Sequence, residues 1–352
     1  MNIFGRKEPK KPPPPVAPEP PKFSLQYLRN MHRQLVENKV ATESNQSQVI
    51  EILRVIAEMV VYGDSKSELL FDFFCEANML SLFLDIMRCP SGCPVQIHVQ
   101  ILQTLSILCQ SVRNTTSMYY LLSNNYVNEI IVFPYNFDDE ELCDNFISFM
   151  KSLSLRLNQQ TVQFFFIEET GSYPLLSRAI FFLHFKEPMV RTAAQAIILN
   201  VYRITEIRAR EYALQENIIE DLLTAISAVF NSMYSTMRDA YVAYRQVEEA
   251  SGDSAFTSQQ SSLINQHERQ LETTVTGFED WLYYLQDVVD LKVPRLTKVL
   301  ITKLMSDFVY STLLQPLTRL DESQTSANDV IIINLSEVSL SLFIVCQVNN
   351  SK

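Results

Sequence analysis

The chain has 352 residues, of which 47% are hydrophobic and only six are glycine, so it can bury a large core and favours helices over tightly turned β architecture. Its formal net charge is −11, and an acidic body repels phosphate backbones, so we expect no nucleic-acid partner. Six cysteines in a chain of this length do not form a disulfide framework and are typical of reduced core thiols in a cytosolic protein.

Residues 1–22 contain eight prolines and carry a net charge of +3. This composition predicts a disordered, basic, proline-rich tail with local polyproline-II structure. An SH3 or WW module is one candidate partner for the tail, and a solubilising role is the simpler interpretation. No apolar run reaches the roughly 18 residues of a membrane span, and none follows the start as a secretory signal would. We therefore predict that any membrane contact is peripheral.

From Phe23 onward, apolar residues recur every three or four positions, which is the period of one helix face. Val49, Leu53, Ile56 and Val60 form one such stripe. The helices predicted before the central segment cover residues 23–37, 47–61, 69–74, 80–87 and 95–112. Those predicted after it cover residues 174–183, 188–204, 218–246, a stretch from about 268, 294–317 and 337–347.

The best-marked helix follows four consecutive acids, Asp138 to Glu141. We predict that Asp138 caps it, that Glu141 reaches back as in a capping box, and that all four acids suit the positive helix end. Its apolar face comprises Leu142, Phe146, Phe149, Met150, Leu153 and Leu157.

These helices alternate short and long with brief polar breaks, and none could bury its own face alone. Stacking solves that problem, so the predicted fold is all-α, an irregular armadillo- or HEAT-like helical solenoid. Residues 248–266 are polar and rich in Ser and Gln, which predicts a disordered insertion. The predicted organisation is tail 1–22, helical repeats 23–204, helical continuation 205–247, insertion 248–266 and C-terminal helices 267–352.

Cys89, Cys93, His98 and Cys109 are the nearest approach to a metal set. Their spacing, C-x3-C-x4-H-x10-C, matches no standard zinc pattern, and the simpler interpretation is a turn with two thiols beside a helix. Consecutive acids such as Asp138 to Glu141 splay around a helix axis and do not converge on one cation. We therefore predict no metal and no cofactor.

No nucleophile–base pair and no G-x-S-x-G, H-E-x-x-H or phosphate-loop motif occurs in the sequence. We predict that the protein is not an enzyme and assign no catalytic residue.

Asn124, Asn125, Tyr126 and Asn128 lie between two apolar segments and carry several donors and acceptors. They form the candidate interaction surface. The alternative is a helix end in which Asn125 adopts a left-handed turn. Three consecutive aromatics, Phe164 to Phe166, cannot all face inward from one helix, so one of them is a candidate for an exposed docking residue.

Five segments follow one another along the chain in the order expected for a known family: YYLLSNNYVNEIIV, FDDEEL, FISFMKSLSLRLN, TVQFFF and MVRTAAQAIILNVY. In these the chain resembles the FPL-domain family, most densely between Phe23 and Ile204. Animal members include regulators of endosomal maturation and a human protein misleadingly named after a C-type lectin domain. Larger relatives continue well beyond the length of this chain.

The resemblance implies a non-enzymatic peripheral scaffold that regulates endosome-to-lysosome trafficking and autophagy, including mitophagy. It implies Rab-type GTPases and tethering machinery as partners, and a cytoplasmic location on endosomal and lysosomal membranes. Some members associate with ubiquitin ligases, so an adaptor or atypical component of a ligase complex is the alternative. No catalytic residue carries over.

Overall fold

The computed structural model describes residues 20–90, 92–251 and 258–314. Within these ranges the regular elements are helices, accompanied by one isolated antiparallel bridge between Ile167 and Ser172. The all-α prediction is therefore confirmed for the described residues. All but the last three residues of the predicted tail, and the whole of the predicted helix 337–347, lie outside them.

The described residues divide into two compact units, with the boundary between Tyr120 and Leu121. The first unit contains five complete helices, Leu25–Glu37 (α1), Gln46–Lys66 (α2), Glu68–Glu76 (α3), Met79–Met87 (α4) and Val95–Ser111 (α5). The division falls inside the next helix, Thr115–Leu122 (α6).

The second unit continues with short and medium helices, Tyr126–Val132 (α7), Glu140–Ser154 (α8), Pro174–Phe182 (α9), Pro188–Arg203 (α10) and Ile207–Ala213 (α11). A 3-10 turn spans Val162–Phe164. Two long helices and a shorter one follow, Glu216–Ser251 (α12), Ser258–Asp290 (α13) and Pro294–Leu304 (α14), the last leading into a π-helical segment, Met305–Leu314.

Local sequence explains where several helices begin. Ser24 caps α1, since its hydroxyl accepts a hydrogen bond from the Tyr27 N–H at 3.2 Å. Helices α9, α10 and α14 each begin at a proline, whose missing N–H costs nothing in the first turn.

The predicted cap of α8 is wrong by one residue. Asp139, not Asp138, is the cap, because its carboxylate accepts a hydrogen bond from the Leu142 N–H at 2.8 Å. The helix begins at Glu140, so the acid three residues before Leu142 has the geometry of a cap. Helix α8 also ends at Ser154, which leaves Leu157 outside it.

The prediction of a disordered insertion at 248–266 is wrong for the described part of that segment. Helix α12 continues to Ser251 and α13 already begins at Ser258. Gln and Glu are good helix formers, and extending an existing helix costs far less than nucleating one. A polar composition therefore marked the ends of two long helices here.

In the first unit, α2 lies at the centre and packs against α1, α3 and α5. The predicted stripe of Val49, Leu53, Ile56 and Val60 is fully buried. One polar contact crosses the interface of α2 and α5, where the Arg54 Nε donates to the Gln100 side-chain oxygen at 2.9 Å. Each fully buried aliphatic side chain contributes about 1.5–3 kcal/mol, so the apolar stripe outweighs this single polar contact in stabilising the unit.

In the second unit, α10 packs against α8 and α9, while α12 packs against α9, α13 and α14. The aromatic residues that join α12, α13 and the π-helical segment include Phe230, Phe278, Trp281 and Phe308. In both units, helices contact partners that are close in the chain, which is the irregular armadillo-like arrangement expected from the sequence.

Candidate interaction surface

The Asn-rich segment forms the turn between α6 and α7. Asn124 and Asn125 both have positive φ, 58° and 63°, a left-handed conformation that Asn tolerates better than most residues. Both side chains are exposed, and Tyr126 is half-buried. Asn124 and Asn125 therefore form the turn that separates α6 from α7. Together with Tyr126 they remain a predicted partner-binding surface.

Asn128 has a different role. It is 2% exposed, and its amide donates to the Phe164 carbonyl at 2.8 Å and to the Asn125 side-chain oxygen at 2.9 Å. The first bond ties α7 to the 3-10 turn. Asn128 is therefore a structural residue, and its inclusion in the exposed surface is not supported.

The three consecutive aromatics do not share one helix. Phe165 and Phe166 are buried, and Phe166 stacks on Tyr212 with the ring centroids 4.8 Å apart. Phe164, in the 3-10 turn, is half-buried. The short turn lets two adjacent rings enter the core, which a single α-helix would not allow.

A larger aromatic surface lies at the other end of α7. We call Phe133, Tyr135, Phe137, Phe181 and Phe185 the aromatic ledge. Its rings form a chain of contacts with centroid separations from 5.0 to 6.3 Å. Phe181 is 47% exposed and the other four are half-buried. The ledge therefore combines a packed base with an apolar outer face.

Arg178 on α9 supports the ledge from within. Its Nε donates to the Ile131 carbonyl at 3.2 Å, and its guanidinium lies 5.8 Å from the ring centroids of both Phe137 and Phe181. Burial lowers the pKa of Arg178 and raises that of the Tyr135 hydroxyl. This cation–π arrangement stabilises both rings.

The ledge passes directly into the acidic start of α8. Asp138, Glu140 and Glu141 are exposed, and none of them forms an ion pair within the described residues, whereas Asp139 serves as the cap. An apolar surface thus adjoins three solvent-facing carboxylates.

The sequence contains one local signal for the ledge, which the predicted interaction surface did not include. Phe133, Tyr135 and Phe137 alternate with other residues between α7 and α8, so their side chains can share one face of a non-helical segment. The contribution of Phe181 and Phe185 depends on the packing of α7 against α9, which no local pattern reveals.

A groove of about 630 Å³ lies elsewhere in the second unit, lined by residues that include Ile207, Arg210, Leu214, Glu216 and Arg295. The Arg210 Nε is buried there without a hydrogen-bond partner in the described part of the chain. Glu216 lies 3.8 Å from Arg295. Because the lining carries both carboxylate and guanidinium groups, its charge favours neither anionic nor cationic ligands.

The Cys89, Cys93, His98 and Cys109 set does not form a metal site in the structure. Within residues 20–90, 92–251 and 258–314, no three His, Cys, Asp or Glu side chains are placed to hold a metal ion. Burial lowers the pKa of His98, opposed by a hydrogen bond with the Met87 backbone. In the same ranges, no helix is both long enough and apolar enough to span a bilayer.

Residues 53–202 match the model of the family named FPL, described as an uncharacterised conserved protein. The chain is an FPL-domain protein. The resemblance expected from the sequence is confirmed, and the aromatic ledge lies wholly within the matched residues.

Curated relatives agree with the FPL match. The chain is 37% identical over 284 residues to the CLEC16A homolog of Drosophila melanogaster, covering 81% of this chain and 25% of that protein. It is 46% identical over 182 residues to human CLEC16A, covering 52% of this chain and 17% of that protein. It is 31% identical over 312 residues to TRANSPARENT TESTA 9 of Arabidopsis thaliana, covering 88% of this chain and 34% of that protein. The FPL chain thus spans only a sixth to a third of these relatives.

Two solved structures of designed armadillo repeat proteins are also similar, each at 14% identity and covering 78% of the FPL chain. One, in complex with the peptide (KR)4, has a TM-score of 0.37 and is covered over 98% of its length. The other, designed for modular peptide recognition, has a TM-score of 0.38 and is covered over 99%. At these scores the likeness carries no argument about what the FPL chain binds.

Proposed function

We propose that this FPL-domain protein is a non-enzymatic peripheral scaffold that regulates endosome-to-lysosome trafficking and autophagy, including mitophagy, through protein–protein contacts. The observation that carries the protein-contact part of the proposal is the partly exposed aromatic ledge inside the FPL domain, and the trafficking part rests on the family resemblance. Exposed aromatic clusters on a rigid base are typical of protein-binding surfaces.

The state of three thiols argues against catalysis by a cysteine nucleophile at these positions. Burial raises the pKa of Cys75 and of Cys93 to about 12, and that of Cys143 to about 11. A thiol reacts as its thiolate, so these groups are poor nucleophiles near neutral pH. Neither the matching family model nor the relatives reported above is named for an enzymatic activity.

The proposed partners are Rab-type GTPases and tethering machinery, and the proposed location is the cytoplasmic face of endosomal and lysosomal membranes. Support comes from the family resemblance.

Proximity labelling in cells tests this role. The full chain is fused to a labelling enzyme, and the same enzyme without the fusion serves as the control. We expect enrichment of Rab-type GTPases and tethering proteins over the control. Enrichment of ubiquitin-ligase subunits without vesicle proteins would favour the ligase-adaptor alternative, and a profile equal to the control would contradict both.

A further inference from the structure

We propose that the aromatic ledge and the acidic first turn of α8 together dock a basic, proline-rich segment of a partner protein. This inference rests on the proposed scaffold function and specifies the chemistry of one of its partners.

The rings supply the apolar half of the site. Phe133, Tyr135 and Phe137 follow one another at alternate positions, and Phe181 and Phe185 extend the same surface. Prolines in a polyproline-II segment pack well against such aromatic rows, and they lose little conformational entropy because the segment is already extended. The Tyr135 hydroxyl is buried, so the part of this side chain that reaches solvent is apolar.

The carboxylates supply the charged half. Asp138, Glu140 and Glu141 face solvent beside the ledge, while Asp139 is engaged as the helix cap. The cation of the ledge, Arg178, lies against the rings and donates to a backbone carbonyl, so it does not neutralise the exposed acids by direct contact. A lysine- or arginine-bearing segment complements this edge, and an acidic one is repelled.

The net charge of the chain favours the same partner. At −11, the protein attracts basic peptides at long range, and salt weakens that attraction. Charge and apolar surface thus select the same ligand, an extended chain that carries both prolines and cations.

The test is fluorescence anisotropy with the purified full chain and a labelled oligoproline peptide flanked by lysines. An oligoproline of equal length flanked by glutamates is the matched peptide control. We expect binding of the lysine peptide that weakens as salt is raised, and no binding of the glutamate peptide at the same concentrations.

Phe181→Ala tests the aromatic half, because Phe181 is the most exposed ring of the ledge. We expect binding to weaken about tenfold or more, the scale of an aromatic hot-spot residue. Ile207→Ala is the control, since Ile207 is an apolar residue that is 72% exposed and lies outside the ledge. It should bind the peptide like the wild type.

The double variant Asp138→Asn/Glu141→Gln tests the charged half and spares the cap. We expect weaker binding at low salt and a shallower salt dependence. The control is Glu211→Gln/Glu220→Gln, which removes two exposed carboxylates elsewhere in the same unit. Circular dichroism of each variant establishes whether it is folded. If Phe181→Ala does not fold, the double charge variant Asp138→Asn/Glu141→Gln still tests the proposal, because it changes only exposed side chains.

Failure of the lysine peptide to bind, equal binding of both peptides, or unchanged binding by folded Phe181→Ala and by the charge variant would each overturn the docking proposal. These outcomes leave the proximity-labelling result untouched, so loss of the docking proposal is distinguishable from loss of the scaffold function.

Discussion

Gly63 illustrates, at the scale of the residue, how one position sets the distance between two helices. It is buried in α2, and a Cβ added there would lie 2.7 Å from the Leu70 Cβ on α3 and 3.4 Å from the Phe71 backbone nitrogen. The 2.7 Å separation forces a shift of the helices, because the Leu70 Cβ is not the flexible end of a side chain.

We expect Gly63→Ala to destabilise the protein by about 1–3 kcal/mol, measured as a lower midpoint of urea unfolding. Gly277→Ala is the matched control. Its added Cβ would meet the mobile end of Met233 at 2.9 Å, and Ala favours the helix, so it should be neutral or nearly so. Equal effects of the two changes would contradict the close approach of α2 and α3.

Asn128 gives a second prediction at this scale. Asn128→Ala removes the buried donor to the Phe164 carbonyl, and we expect a loss of about 1–3 kcal/mol in the free energy of unfolding. Asn124→Gly is the control, since Gly adopts the positive φ of Asn124 readily and the side chain is exposed. If Asn128→Ala unfolds at the wild-type denaturant concentration, the structural role assigned to Asn128 is wrong.

Residue-level roles were only partly predictable. The sequence indicated a left-handed Asn125, and the structure places it there, because Asn is among the few side chains that tolerate that region. The sequence could not show that Asn128 points into the core, since its partner, the Phe164 carbonyl, lies 36 positions away.

At the scale of the element, Asp138 and Asp139 differ in their role at the start of α8, because only Asp139 caps the helix. We expect Asp139→Ala to lower stability by about 1 kcal/mol, because it removes the acceptor for the Leu142 N–H. Asp138→Ala removes an exposed acid of the same charge that does not cap the helix, and should cost much less. The measurement is urea unfolding of both variants; a larger loss for Asp138→Ala would instead support the cap predicted from the sequence.

Helix faces were the most predictable feature. The stripes on α2 and α8 follow from the 3.6-residue period, and Val49, Leu53, Phe146 and Met150 are all buried as expected. Helix ends were less predictable, since the polar residues at 248–251 and 258–266 belong to two helices rather than to a disordered insertion. The ledge depends on which helices meet, and that is tertiary information.

At the scale of the whole molecule, the reactivity of the cysteine thiols measures how well the native packing shields them from solvent. None of the five cysteines in the described residues forms a disulfide. Because the pKa of Cys75 and Cys93 is raised to about 12, we expect slow reaction with a thiol reagent at pH 8 and rapid reaction once denaturant is added. Rapid labelling of all five in the native protein would contradict the buried packing.

The same shifts predict a stability change with pH. Unfolded thiols ionise near their ordinary pKa of 9.0, while the folded ones remain protonated until about pH 12, so the unfolded state loses protons first. Their contribution to stability is therefore fully present below about pH 9 and falls as pH rises towards 12. Urea unfolding across this range measures it, and a variant with Cys93→Ser should show a smaller loss.

The scaffold role proposed for this FPL-domain protein places it on endolysosomal membranes. The most direct measurement is live imaging of the fluorescently tagged full chain beside endosomal and lysosomal markers. We predict puncta that coincide with those markers. An even cytosolic distribution that never overlaps the markers would contradict the account.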